Sequence, residues 1–129
     1  MRCFLTGSLD AEWRWNLGDF LRKSDIEYFD SVDYPVEHAS IFKHFKILEG
    51  CESVIACIPN HERRHLQTVL ELSYASKLAK QILIIDCLRR RKSWIHTLPY
   101  SLNFSTLDSL KEHLIRVIST PKRATLFRG

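Results

Sequence analysis

Ser53-Val54-Ile55-Ala56-Cys57-Ile58 is a nearly continuous apolar run of strand length, stopped by Pro59-Asn60. A strand without a polar side is covered on both faces, as the central strands of parallel sheets are. Gln81-Ile82-Leu83-Ile84-Ile85-Asp86 repeats the pattern. Between the two, the segment from about His65 to Ala79 brings Leu66, Val69, Leu70, Leu72, Ser73 and Ala75 round at helical spacing for packing. Strand, helix and strand in this order form the crossover unit that parallel neighbours require.

The same reading extends in both directions. Upstream, Met1 to Thr6 is a short apolar strand closed by Gly7-Ser8, and residues 11–22 show helical spacing. Ile26-Glu27-Tyr28-Phe29-Asp30 is a second short strand. After Pro35 the spacing predicts a helix from about Glu37 to Glu49, with Ile41, Phe42, Phe45 and Leu48 on one face and Gly50 at its C-cap. Downstream, Tyr100 to Phe104 reads as a short edge strand, and Ser105 or Thr106 caps a helix over residues 107–118. This alternation predicts an α/β fold: a flavodoxin- or Rossmann-like three-layer sandwich around a mostly parallel sheet of about five strands. With neither internal repeat nor linker, one domain over residues 1–119 is expected, followed by a basic tail at 120–129.

Composition narrows the classes. The chain has 129 residues, 45% of them hydrophobic and 26% charged, which excludes disordered, collagen-like and disulfide-scaffold chains. No apolar run approaches the roughly 20 residues needed to cross a bilayer, and Met1-Arg2-Cys3-Phe4-Leu5 reads as a strand rather than a signal peptide, so no membrane association and a cytoplasmic location are expected. Cys3, Cys51, Cys57 and Cys87 form no C-x-x-C pair, so buried free thiols are expected and a structural zinc site is not. His61 and His65 share i, i+4 spacing, but loop and helix-start positions explain them without a metal. The formal charge of +4 gathers partly in Arg89-Arg90-Arg91-Lys92, beside Trp94, and in the tail. A solvated turn and a frayed terminus account for both clusters, and nothing resembles a nucleic-acid module, which argues against nucleic acid as a partner.

In an open α/β sheet, ligands bind beyond the carboxyl ends of the strands, at the switch in strand order. The residues to read for chemistry are therefore Gly7, Ser8 and Asp10 after the first strand, and Asp30 and Asp33 after the second. Pro59 to His65 follow the third, Asp86 the fourth, and Glu71 can project from the helix between them. G-x-G-x-x-G and the Walker loop are both missing, which excludes dinucleotide or nucleoside-triphosphate binding by those devices; no cofactor is expected.

Three stretches carry a resemblance: Glu52-Ser-Val-Ile-Ala-Cys-Ile-Pro-Asn60, then Thr68-Val-Leu-Glu71-Leu-Ser-Tyr-Ala75, then Ala79-Lys-Gln-Ile-Leu-Ile-Ile85. They resemble the nucleoside 2-deoxyribosyltransferase family, whose members show A-D-x-V-V-A, a G-T-x-x-E-x-G-Y-A-like helix and a G-K-P-x-I strand. Thr6-Gly7-Ser8 looks like the opening loop of the related deoxynucleoside 5′-monophosphate N-glycosidases, and Phe104-Ser-Thr-Leu-Asp-Ser-Leu110 fits the closing strand-to-helix signal. The resemblance implies that Glu71 attacks the anomeric carbon of a 2-deoxyribonucleoside or its 5′-monophosphate, giving a covalent intermediate that water or a second base resolves. A carboxylate suits that step, because cleavage passes through an oxocarbenium-like state. It also implies a small-molecule nucleoside or nucleotide partner and a homo-oligomer.

Two departures stand out. Where the family places an aspartate that helps protonate the leaving base, this chain has His44, which can act as a general acid near neutral pH. Where the family's glycine and serine residues cradle sugar or phosphate, this chain carries Pro59-Asn60-His61-Glu62-Arg63-Arg64-His65-Leu66-Gln67, with no glycine. Arg63, Arg64 or His65 can supply charge-assisted contacts to a phosphate in its place, alongside Pro59 and Asn60. A nucleotide-sensing or protein-interaction module without turnover, and an NAD-glycohydrolase-like enzyme, stay open at this point.

Overall fold

In a computed structural model, residues 1–7, 11–31, 40–58, 66–86 and 98–119 are described. Five strands, β1 (Arg2–Gly7), β2 (Glu27–Asp30), β3 (Ser53–Cys57), β4 (Gln81–Ile85) and β5 (Ser101–Phe104), form one sheet in the order β2-β1-β3-β4-β5. Every neighbouring pair is parallel, with Thr6 opposite Ala56 and Ile85 opposite Phe104. Four helices, α1 (Ala11–Lys23), α2 (Ser40–Glu49), α3 (Leu66–Lys77) and α4 (Leu107–Ser119), complete the three-layer α/β sandwich. The strand order is that of the flavodoxin-like sheet, and it reverses between β1 and β3.

Each face of the sheet has its own core. Cys3, Leu5, Ile55, Leu83 and Ile85 point toward Leu17 and Leu21 of α1 and Leu110 and Leu114 of α4. Phe4, Val54, Ala56, Ile82 and Ile84 point the other way, toward Leu48 of α2 and Leu72 and Ala75 of α3. The alternation of a strand's side chains thus fills two cores from one continuous apolar run. Trp13 joins the first core, whereas Trp15 is 75% exposed. Cys3 and Cys51 are buried free thiols, and burial pushes the Cys3 thiol up to about 12. Cys57 is a half-buried thiol in no disulfide; Cys87 lies outside the described residues. Among the described residues no helix is long and apolar enough to cross a membrane.

The helix faces correct the sequence reading in two places. Among the described side chains of α2, His44 and Leu48 are buried, while Phe42 is exposed and stacks edge-on against Phe45, which lies flat on Tyr74 of α3. On α3 the buried residues are Thr68, Glu71, Leu72 and Ala75; Leu66, Leu70 and Ser73 face outward. Gly50 does follow α2, but the left-handed caps are Asp25 after α1 and Ala79 after α3, each closing its helix by backbone bonds to the last turn. Thr106 caps α4, its hydroxyl accepting from the Ser109 amide at 3.1 Å.

Candidate functional site

Buried polar side chains gather at one end of this sheet. Thr6 stands next to the end of β1, Ser31 follows β2, Asp86 follows β4, His44 stands on α2, and Thr68 and Glu71 lie on the first two turns of α3; all are at most 5% exposed. These positions surround the carboxyl ends of β1 and β3, where the strand order reverses. Helix α3 is divided accordingly. Its inward face is polar over the strand ends, at Thr68 and Glu71, and apolar further along, at Leu72 and Ala75.

Glu71 is the centre of the arrangement, with no exposed surface. Thr6 Oγ1 donates to its Oε1 at 2.6 Å, and Thr68 Oγ1 lies 3.3 Å from Thr6 Oγ1. Oε2 meets His44 Nδ1 at 2.8 Å and Gln67 Nε2 at 3.4 Å. Burial raises the Glu71 carboxyl above the ordinary carboxylate range, while the hydrogen bonds from Thr6, His44 and Gln67 pull it down. A carboxylate offers about four lone-pair directions, so three partners leave one for a further atom.

His44 is 1% exposed and clamped edge-on by Phe29 at 5.5 Å and Phe4 at 6.1 Å, which fixes its ring plane. With Nδ1 turned to Glu71, the other ring nitrogen, although buried, has no hydrogen-bond partner among the described residues. A buried polar atom left without a partner costs about 1–3 kcal/mol, so a ligand atom that meets Nε2 recovers that energy. The pair therefore holds a carboxylate and a proton-carrying imidazole in one rigid unit, with one coordination direction of each still available.

The structure places the other sequence candidates differently. Gly7 ends β1 with φ +115°, and a Cβ there would collide with the backbone carbonyl oxygen of Cys57. The glycine is thus required by the close approach of β1 and β3. Gly7→Ala is expected to cost about 3 kcal/mol in urea denaturation, since strain and collision act together. Asp30 pairs with Arg14: its Oδ2 lies 3.3 Å from Arg14 Nε, with the two side chains 11% and 6% exposed. Asp30→Ala takes a carboxylate away from the buried Arg14 guanidinium and should lower stability by about 3 kcal/mol. A variant with native stability and weakened nucleotide binding would instead return Asp30 to the ligand. Ser8, Asp10, Asp33, Pro59, Asn60, Arg63, Arg64 and His65 lie outside the described residues. Thr6, Gln67 and Thr68 were not among the sequence candidates. Thr6 sits inside an apolar strand, and only the packing of α3 over β1 brings it to Glu71, whereas Gln67 reaches Glu71 by its i, i+4 spacing on α3.

No protein-family model matches the sequence, and no curated protein matches it. Among solved structures, the 2-deoxyribosyltransferase of the psychrotolerant bacterium Bacillus psychrosaccharolyticus is similar over 92% of this chain and 96% of its own, at 12% identity and a TM-score of 0.74. The CMP N-glycosidase BcmB of Clostridium botulinum is similar over 88% of this chain and 98% of its own, at 19% identity and a TM-score of 0.62. The chain has the nucleoside 2-deoxyribosyltransferase-like fold.

Proposed function

We propose that this chain cleaves or transfers at the N-glycosidic bond of a nucleoside or its 5′-monophosphate, with Glu71 as nucleophile and His44 as proton donor. The observation that carries the reading is the buried contact of Glu71 with His44, whose Nε2 has no partner among the described residues, at the switch point of the sheet. The two similar structures support it, because one is named for breaking this bond in CMP and the other for moving a 2-deoxyribosyl group.

The residues divide the reaction between them. One Glu71 oxygen forms a bond to the anomeric carbon as the bond from that carbon to the base nitrogen breaks. The electron pair leaves with the base, which takes the proton from His44 Nε2. The Thr6 hydroxyl, at 2.6 Å, holds the carboxylate in place throughout. Water, or a second base for transfer, then bonds to the anomeric carbon and releases Glu71. The proton it sheds returns to His44.

The test is direct. Wild-type chain is incubated with nucleosides, 2-deoxynucleosides, their 5′-monophosphates and NAD, and free base is quantified. Release from a nucleoside or nucleotide that disappears in Glu71→Gln supports the reading. Release that persists in that variant removes the nucleophile, and release from NAD alone reassigns the substrate. A site that binds nucleotides without releasing base is a sensing module. The reading also includes a homo-oligomer, which light scattering measures.

A further inference from the structure

The two similar structures are named for substrates that differ at the sugar's C2′ position, a ribonucleotide in one and a 2-deoxyribosyl group in the other. One side chain of this chain stands where that difference would be felt. Gln67, on the first turn of α3, is one helical turn nearer the strand ends than Glu71 and only half-buried. Its Nε2 lies 3.4 Å from Glu71 Oε2 and 3.3 Å from His44 Nδ1. The amide nitrogen faces the carboxylate because the amide oxygen would be repelled there. The oxygen, Oε1, meets no donor among the described residues. Glu71 itself has no exposed surface, so a sugar reaches it by passing the neighbours that touch it. Gln67 is the one of those described neighbours that retains exposure, since Thr6 and His44 are both buried.

Stereochemistry supplies the rest. A nucleophile displaces the base of a β-nucleoside from the opposite face of the sugar, and a ribose 2′-hydroxyl lies on that same face, beside the carbon attacked. A group within hydrogen-bond reach of the attacking carboxylate is therefore within reach of O2′. We infer that Gln67 reads the C2′ substituent, its Oε1 accepting from a 2′-hydroxyl, and that the substrate class is the ribonucleoside or ribonucleotide. The inference rests on the N-glycosidic reading of Glu71 and names the sugar for it. It reverses the 2-deoxyribose expected from the sequence resemblance, whose G-T-x-x-E pattern has glycine at the position of Gln67 and therefore no side chain to read C2′. A deoxy sugar would leave Oε1 desolvated and unpaired, which is how a site rejects a substrate lacking a hydroxyl.

The experiment compares CMP with dCMP and AMP with dAMP on wild type, Gln67→Met and Gln67→Ala. Methionine keeps the length of glutamine without its amide, so lost hydrogen bonding is separated from lost volume. Wild type should favour the ribose member by about 10- to 100-fold in kcat/KM. In both variants the ratio should fall toward one. A wild-type preference for the deoxy sugar, or variants that weaken both sugars equally, would overturn the assignment. The same pairs are titrated calorimetrically into Glu71→Gln, where turnover plays no part. If no base is released from either sugar but ribose binds more tightly in a Gln67-dependent way, the N-glycosidic reading falls and the C2′ reading stands. With no Gln67-dependent difference in either assay, the inference is wrong.

Discussion

Glu71→Gln abolishes base release, by about 10⁴-fold or more in kcat, while the protein melts at or above the wild-type temperature. The first half of this expectation follows from chemistry: a carboxamide cannot form the bond to the anomeric carbon, and removing a nucleophile costs far more than removing a positioning group. The second half follows from burial. Because desolvation is the largest influence on Glu71 and raises its carboxyl, the folded state binds that proton more tightly than the unfolded chain does. The stability contributed by the neutral form is fully present at low pH and is lost as pH rises through the raised value. A neutral glutamine escapes that loss at pH 7 and keeps the same length.

The hydrogen bonds around Glu71 can all be rebuilt in this variant. The Thr6 hydroxyl can donate to the amide oxygen, and the amide nitrogen can donate to His44 Nδ1 once the ring proton sits on Nε2. Loss of activity with retained stability is the pattern of a residue kept for function at some expense to the fold. A chemical trap separates the reading from its rivals. Wild type quenched in acid during turnover should carry a pentosyl adduct on the peptide containing Glu71, visible by mass spectrometry, and Glu71→Gln should not. An adduct elsewhere, or steady turnover by the variant, would assign the attack to another group.

The same site shows where sequence patterning was legible and where it stopped. The apolar runs of β3 and β4 announced a sheet covered on both faces, and Phe4, Val54 and Ile84 on one side with Leu5, Ile55 and Ile85 on the other bear this out. Helical spacing found α3 and two of its buried residues, Leu72 and Ala75, but not Thr68 and Glu71, because that method equates buried with apolar. Leu66 and Leu70 point out because Thr68 and Glu71 must point in, and the conflict between local pattern and burial falls at the candidate site. Glu71 and His44 were each singled out from the sequence, but their contact was not. It depends on how α2 and α3 settle across the sheet from β1, a relation between residues 27 positions apart. Thr6 was quoted only as part of the glycine turn Thr6-Gly7-Ser8; its bond to Glu71 gains meaning only when β1 is placed beside β3 and under α3.

Replacing His44 by alanine should cut kcat on ordinary nucleosides or nucleotides by about 10²–10⁴-fold, the range of a general acid, while a substrate whose base already carries a positive charge loses far less. An N7-methylated purine nucleoside leaves as a neutral base without needing a proton, so its cleavage bypasses Nε2 and still needs Glu71. The pH profile adds a second signature. Wild-type activity rises with pH as Glu71 ionises, above the ordinary carboxylate range because of its burial. The His44 hydrogen bond and charge both act to lower the Glu71 value, so their removal moves that rising limb to still higher pH. A residue that only packs between Phe4 and Phe29 would lower both classes of substrate alike. Equal losses on methylated and ordinary substrates would therefore remove His44 from the proton transfer, and leave Glu71 with a different source for the proton.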